Sequence, residues 1–538
     1  MTPSSPRLLA VLAAGLLSLC FPVLHAQESS AASALPPALQ DFDRRVEAVR
    51  EAFDIPGIAV AIVKDGEVVL ARGYGVREQG RPEAVDAETM FAIASNTKAF
   101  TAAALSMLAD DGKLSLDDRV IDHLPDFRMA DAYVTREMRL RDLLVHRSGL
   151  GLGAGDLLFW PTTTYSNAEV VQRLRDVPLA GGFRSQYAYD NILYGVAQRV
   201  IETVSVQGFE DFLQARVFAP LGMAQTRYNS DRLRPGDNVA SGHAKADFRD
   251  LQTAPRMTWS NVAGAGGLYA SAGDMARWMQ VQLDGGVYRD ADGNEQRLFT
   301  AARQKAMWSL VTPMPIAEPR VESLKPARPN FLGYGEGWML SDYRGQKLVW
   351  HTGGWPGMVS RLTLVPDRKL GVVVLTNQEV SAAFHALTLQ VLDAYLDAPA
   401  HDWLAAYREL VAKNHGDADA NWRKLQAARD ARSKPSLPLP RYAGTLRDPW
   451  YGDVEIAREG KGLVLRFTRT PELVGDLSHW QQDTFVVRWR ERWLNADAFI
   501  TFALKPDGGI REARMQAISP LTDFSFDFHD LRLAPVAR

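Results

Sequence analysis

Two apolar, strand-like stretches flank a long helical and loop-rich middle, and that order constrains the fold more than any other feature of the chain. The first, "GIAVAIVKDGEVVLARGYG" from Gly57, is a pair of apolar runs joined by Asp65-Gly66, the signature of a β-hairpin. The second, "GQKLVWHTGGWPGMVSRLTLVPDRKLGVVVLTN" from Gly345, brings the strand signal back late in the chain. Between them, "NTKAFTAAALSMLADDG" sets Phe100, Ala103, Ala104, Met107 and Leu108 at helical spacing and stops at Gly112, a helix cap. Strands first, helices next and strands again predict an antiparallel sheet with helices packed around it, an α+β fold. No fixed-period repeat is present, which argues against a solenoid or propeller.

Near residue 400 the texture changes. "AHDWLAAYRELVAKNHGDADANWRKLQAARDARSKPSLPLP" is charged and helix-prone, broken by Asn414-His415-Gly416 and ended by prolines, so residues 399–437 read as a helical connector. Beyond it, "YGDVEIAR", "GLVLRFTR", "DTFVVRWR", "AFITFALK" and "FSFDFHDL" are short alternating segments separated by turn residues. Residues 438–538 therefore read as an all-β module, a small barrel or sandwich.

The N-terminus is a segment of another kind. Arg7 precedes an uncharged apolar run from Leu8 to Leu24 and then Ala26, the pattern of a secretory signal peptide over residues 1–26. Export to the periplasm or the medium follows, with no stable membrane insertion after cleavage; an uncleaved anchor is the rival. The single cysteine, Cys20, lies inside this segment, so the mature chain has no disulfide, thiol nucleophile or cysteine metal site. Residues 27–398 are left as the main domain. A net charge of −3 carries no electrostatic footprint for nucleic acid.

Three short motifs stand in order: Ser95-Asn96-Thr97-Lys98, Tyr189-Asp190-Asn191 and His351-Thr352-Gly353. Each has an ordinary reading. Ser95 suits a helix N-cap, Tyr189-Asp190-Asn191 a turn, and His351 a solvated strand face. Ser-x-x-Lys alone is expected about once by chance in such a chain. A competing "TTTYSNAEVV" holds Tyr165-Ser166-Asn167, but Ser166 with Glu169 three residues on is a capping box. There is no G-x-S-x-G elbow, no H-E-x-x-H and no phosphate-loop glycine pattern, and the ten histidines have no ligand spacing. No metal and no cofactor are expected, and His146 reads as a structural loop histidine.

Taken together, in this order and at these separations, the motifs resemble the penicillin-recognising serine hydrolases of the class C β-lactamase and DD-peptidase type. The likeness extends through "GKLSLDDRVIDHLPDF", "LRDLLVHRSGL", "YGVAQRVIETV", "VFAPLGMAQTRY", "AGGLYASAGDMARW" and "LGVVVLTN", from about residue 45 to 395. The tail is similar to the lipocalin-like β domain often attached to such hydrolases.

The chemistry fits the spacing. Residues three apart on a helix share a face, so the Ser95 hydroxyl and the Lys98 amine can touch. Serine needs a neighbouring base to become a nucleophile. Lysine ordinarily titrates near 10.4, and base catalysis at neutral pH wants about 7 to 8, a gap that burial can close. The resemblance implies the remaining roles. Tyr189 shuttles a proton between Ser95 and the leaving group, and Asn191 holds the substrate amide and orients Lys98. His351, Thr352 and Gly353 lie on the sheet's edge strand, pair with extended substrate and face its carboxylate. Backbone N–H groups of Ser95 and Gly354 form the oxyanion hole. Asp190 replaces the family's usual serine.

The expected reaction is hydrolysis of short peptides, D-residue or otherwise unusual ones included, through an acyl-enzyme on Ser95. His351 stands where many β-lactamases carry lysine and so points to the peptidase branch. A carboxylesterase, a β-lactamase and a non-catalytic peptide or cell-wall sensor are the alternatives. The partner is a small molecule or short peptide, and self-association into a homo-oligomer is left open.

Overall fold

The computed structural model describes residues 35–536. The expected signal segment, with Cys20, lies outside the described residues. The hairpin forms where Asp65-Gly66 places it: β1 (Gly57–Lys64) and β2 (Glu67–Gly75) pair antiparallel, and both turn residues have positive φ, 52° and 86°. That is the backbone twist a two-residue hairpin turn requires.

The hairpin joins β3 (Thr312–Pro313), β4 (Leu332–Tyr334), β5 (Met339–Tyr343), β6 (Gln346–Trp355), β7 (Met358–Val365) and β8 (Leu370–Thr376) in one antiparallel sheet. Its order is β3-β4-β5-β6-β7-β8-β1-β2, so β1 closes on β8 across the whole helical middle. β1 is buried on both faces, which is why its sequence is a continuous apolar run rather than an alternation. Ile58, Val60 and Ile62 pack with α1 (Phe42–Ala52) and a late helix, Ser381–Tyr395. Ala59, Ala61 and Val63 belong to the larger core on the opposite face. That core is built around α2 (Thr97–Asp110), α3 (Ile192–Ser205) and α4 (Ala272–Leu283); every residue from Thr97 to Ala109 is buried. The late helix is α5.

The connector contains α6 (Trp403–Ala428), which runs unbroken through Asn414-His415-Gly416. The expected break does not occur, because one glycine costs a helix only about 1 kcal/mol and a long helix absorbs it.

Eight further strands follow: β9 (Gly444–Asp448), β10 (Gly452–Glu459), β11 (Gly462–Phe467), β12 (Val474–Gln481), β13 (Thr484–Trp489), β14 (Ala498–Leu504), β15 (Ile510–Ala517) and β16 (Ala534–Pro535). Their order, β15-β14-β13-β12-β11-β10-β9-β16, brings the two ends together. Ala513 and Leu533 exchange backbone hydrogen bonds of 2.8 and 3.2 Å, so the sheet is a nearly closed barrel. "FSFDFHDL", expected as a strand, is instead an irregular segment ending in a single tight turn at Phe528–Asp530. Its Ser525 and Asp527 side chains bond to the main domain.

Candidate active site

A short strand, Met90–Ala92, pairs with Leu268–Ser271 and leads into a tight turn at Ala94–Asn96. Ala94 takes φ of 46°, a left-handed conformation that costs a non-glycine residue on the order of 1–3 kcal/mol. The bend places Ser95 at the entrance to α2, with Lys98 one turn further in.

Lys98 is fully buried, and its Nζ lies 2.9 Å from Ser95 Oγ, 2.7 Å from Asn191 Oδ1 and 2.9 Å from the Ala265 carbonyl. Burial pulls the ammonium down from 10.5 to about 7, although Asp156 and Asp190 favour its charged form. A neutral amine has two N–H bonds and one lone pair. Asn191 Oδ1 and the Ala265 carbonyl can only accept, so they take both N–H bonds. The lone pair is left facing the Ser95 hydroxyl, the arrangement a general base needs.

Tyr189 lies beside this pair, with Lys98 Nζ 4.8 Å from its ring centre. Burial pushes its phenol well above the usual range, against the opposing effect of the Ser95 hydroxyl. The group therefore keeps its proton and is not a phenolate. Beneath it lies His146, which packs against Tyr189, Tyr194 and Tyr334 at ring distances of 4.2, 5.6 and 4.4 Å. His146 Nδ1 accepts the Asp190 N–H at 3.1 Å, and burial holds the ring neutral. Asp190 in turn accepts the Ser148 hydroxyl at 2.9 Å. The residue standing in for serine thus fixes the turn that carries Tyr189.

Asn191 spans two neighbours. Its carbonyl accepts from Lys98, and its Nδ2 donates to Asp156 Oδ2 at 2.8 Å. The partners of its amide are thus Lys98 and Asp156. Asp156 was not among the residues singled out in the sequence. It is fully buried, burial pushes its carboxyl up to about 8, and it accepts the Ser525 hydroxyl at 2.8 Å. Neither residue belongs to a motif, and they lie far apart in the chain, so local sequence held no signal for their meeting.

β6 is an interior strand of the sheet, not the edge strand expected. Its pairing with β5 ends at Met339 and Trp350, however, so residues 351–355 run on with only β7 beside them. That overhang is a local free edge beside Ser95. Gly353 is essential to the approach, since a Cβ there would lie 2.1 Å from the Ile93 carbonyl and 2.5 Å from Ser360 Oγ. Gly354 is exposed, with open space where its Cβ would be. Thr352 is half-buried between them and His351.

The His351 side chain is turned into the protein. It is buried; its Nδ1 lies 2.6 Å from the Thr352 carbonyl and its Nε2 2.7 Å from the Tyr334 hydroxyl. The carbonyl can only accept, so Nδ1 carries the proton and Nε2 accepts from Tyr334. Burial, reinforced by Lys98, pulls the imidazole down to about 3. It is uncharged, and its place is to hold β6 against Tyr334.

A cleft of about 270 Å³ opens beside Gly354, between the two domains, lined among others by Trp160, Trp355, Glu379, Asp523 and Phe526. Among the described residues no lysine or arginine lines it. Tyr165-Ser166-Asn167 is elsewhere: Ser166 and Glu169 cap a helix from Asn167, and the Tyr165 hydroxyl donates to the Tyr451 carbonyl of the barrel.

Comparison with known proteins identifies the family. Residues 42–396 match the β-lactamase family, and residues 428–535 match a domain of unknown function, DUF3471. The unguisins hydrolase ungD of Aspergillus violaceofuscus is 30% identical over 80% of this chain and 78% of its own. Penicillin-binding protein 4 of Amycolatopsis lactamdurans is 31% identical over 64% of this chain and 86% of its own. An octameric penicillin-binding protein homologue from Pyrococcus abyssi shares the fold, with a TM-score of 0.58 and 20% identity over 92% of this chain and 99% of that one. The chain belongs to the β-lactamase family of serine hydrolases, with a nearly closed eight-stranded barrel following its catalytic fold.

Proposed function

We propose that the protein is an exported peptidase or amidase that cleaves short peptides through an acyl-enzyme on Ser95. The observation that carries this reading is the 2.9 Å between Lys98 Nζ and Ser95 Oγ, with Asn191 Oδ1 and the Ala265 carbonyl placed to accept both N–H bonds of a neutral amine. Lys98 takes the Ser95 proton as the oxygen attacks the carbonyl carbon. The oxyanion forms toward the backbone N–H groups of Ser95 and Gly354, where the helix entrance adds its dipole. As the intermediate collapses, the proton that Lys98 took from Ser95 passes through Tyr189 to the departing nitrogen, leaving Lys98 neutral and Tyr189 protonated. Water then gives a proton to Lys98 as its oxygen attacks the ester carbonyl, and Ser95 leaves with that proton as the carboxylic acid is released. A relative that is itself named a hydrolase supports turnover over sensing.

A neutral His351 and a cleft without lysine or arginine support a second reading, a carboxylesterase with the same Ser95, Lys98 and Tyr189. Neither feature offers a cation to the carboxylate of a β-lactam or of a peptide C-terminus. Turnover of D-Ala-D-Ala peptides, L- and D-aminoacyl nitroanilides, a short-chain nitrophenyl ester and nitrocefin, beside Ser95→Ala and Lys98→Ala, separates these readings. Peptide cleavage abolished by both substitutions is the expected result; ester cleavage alone makes the protein an esterase. Self-association belongs to the proposal too, and light scattering across concentration tests it.

A further inference from the structure

We propose that the barrel domain completes the active site, with Ser525 as a positioning residue that holds Lys98 in place through Asp156 and Asn191. The proposal rests on the Ser95–Lys98 reading above. Between β15 and β16 the chain leaves the barrel, and residues 523–527 enter the catalytic domain. Three hydrogen bonds hold them there. Ser525 Oγ donates to Asp156 Oδ2 at 2.8 Å, and Asp527 accepts the N–H of Gly155 at 2.7 Å and of Leu157 at 3.2 Å. Asp527 thus clamps the backbone on both sides of Asp156, while Ser525 sets the direction of its carboxyl. The Phe524 and Tyr189 rings meet edge to face at 5.9 Å between centres. A Cβ on Gly153 would meet the Phe524 ring and carbonyl at 2.8 and 2.9 Å, so the fit is close along the whole segment.

One continuous chain of hydrogen bonds follows: Ser525 to Asp156, 2.8 Å; Asn191 to Asp156, 2.8 Å; Lys98 with Asn191, 2.7 Å; Lys98 with Ser95, 2.9 Å. Ser525, Asp156, Asn191 and Lys98 are all buried, so bulk water does not replace a lost member. With Ser525 removed, Asp156 Oδ2 keeps Asn191 alone, and the amide that aims Lys98 loses its fixed support. The barrel also shields Asp156 from water, part of the burial that pushes its carboxyl up to about 8. The groups facing Lys98 are Asp156, Asp190, Tyr189, Tyr194, His146 and His351. Of these, Asp156 alone is hydrogen-bonded to the barrel.

The test uses the full chain as wild type, Ser525→Ala and Ser525→Thr, with the nitrophenyl ester as substrate and fluorophosphonate labelling to count active sites. Ser525→Ala is expected to lower kcat on the order of 10- to 100-fold with KM within about twofold. The acid limb of the kcat/KM profile is expected to move to lower pH, because a lost donor leaves Asp156 harder to ionise. Ser525→Thr, which keeps the hydroxyl, should recover both. An unchanged kcat and limb in Ser525→Ala overturns the proposal, as does an equal loss in Ser525→Thr at unaltered Tm. Titration of the Lys98 side chain by 13C NMR gives a readout independent of turnover. If wild type neither turns over nor labels but the Lys98 titration moves in Ser525→Ala, the hydrolase reading fails and the positioning role stands. If the titration does not move, the positioning role fails.

Discussion

Lys98 Nζ lies 2.9 Å from Ser95 Oγ while Asn191 Oδ1 and the Ala265 carbonyl are placed to accept two N–H bonds, so the amine, when neutral, has its lone pair free for the Ser95 hydroxyl. With the ammonium pulled down to about 7, kcat/KM should fall about tenfold per pH unit below 7 as the lone pair takes a proton. The imidazoles of His146 and His351 are held neutral by burial and contribute no limb of their own near 6.5. Lys98→Arg, always charged and without a lone pair, should lose on the order of 10³-fold or more in kcat. A pH profile of ester hydrolysis measures both effects.

The same burial makes stability depend on pH, and the sign is fixed. Between about 7 and 10.5 the unfolded chain carries a proton on Lys98 that the folded chain lacks, so unfolding free energy rises with pH. The stability difference between wild type and Lys98→Met should therefore shift in favour of wild type by about 1.4 kcal/mol per pH unit across that window. Below pH 7 it should level off. Urea unfolding at pH 6, 7.5 and 9 is the measurement, and a constant difference would contradict a neutral buried lysine.

Tyr189 keeps its proton at every working pH, so its removal should be felt where a leaving group needs one. Tyr189→Phe is expected to slow amide cleavage about 10²- to 10⁴-fold. Nitrophenyl ester turnover, whose leaving group departs as a stable anion, should fall by less than about tenfold. The acid limb should stay near pH 7 in both cases, because the base is unchanged. Equal losses on the two substrates would remove the relay from Tyr189.

Much of this was legible in the sequence because its signals are local or periodic. The Asp65-Gly66 turn, the α2 stripe and the Ser166–Glu169 capping box each depend on neighbours within a few residues, and each appears where expected. The capping box in particular separates Tyr165, bonded to the barrel, from Tyr189 beside Lys98. What the sequence hid depends on contacts between distant segments. Phe524 to Phe528 alternates like a strand, yet Ser525 and Asp527 find better partners in Asp156, Gly155 and Leu157 than in a barrel neighbour. His351 has the residue type of a charged ligand group, but Tyr334 and the Thr352 carbonyl take both its nitrogens. Nothing near position 351 in the sequence announces that.

Gly353 and Gly354 stand side by side on the overhang of β6 and should respond oppositely to the same methyl group. Neither has a positive φ, so backbone conformation does not distinguish them and the space around each decides. A Cβ on Gly353 would lie 2.1 Å from the Ile93 carbonyl, 2.5 Å from Ser360 Oγ and 3.0 Å from the Ala94 Cβ. Ile93 and Ala94 lead directly into Ser95, so relief requires β6 to move away from the nucleophile. Gly353→Ala should cost about 3 kcal/mol or more, at the upper end of what overpacking a close-packed site does, and lose labelling at Ser95. At Gly354 no atom lies within 4 Å of the new Cβ, and the residue is exposed in the cleft. Gly354→Ala should melt within about 1 °C of wild type, since it disturbs no packing. Its methyl group projects where substrate must lie, so KM for the bulkier peptides should rise several-fold while the small ester is little affected. Thermal melts and substrate-size series on the two variants check this pair together, and matching behaviour would mean that the strand does not approach Ser95 as described.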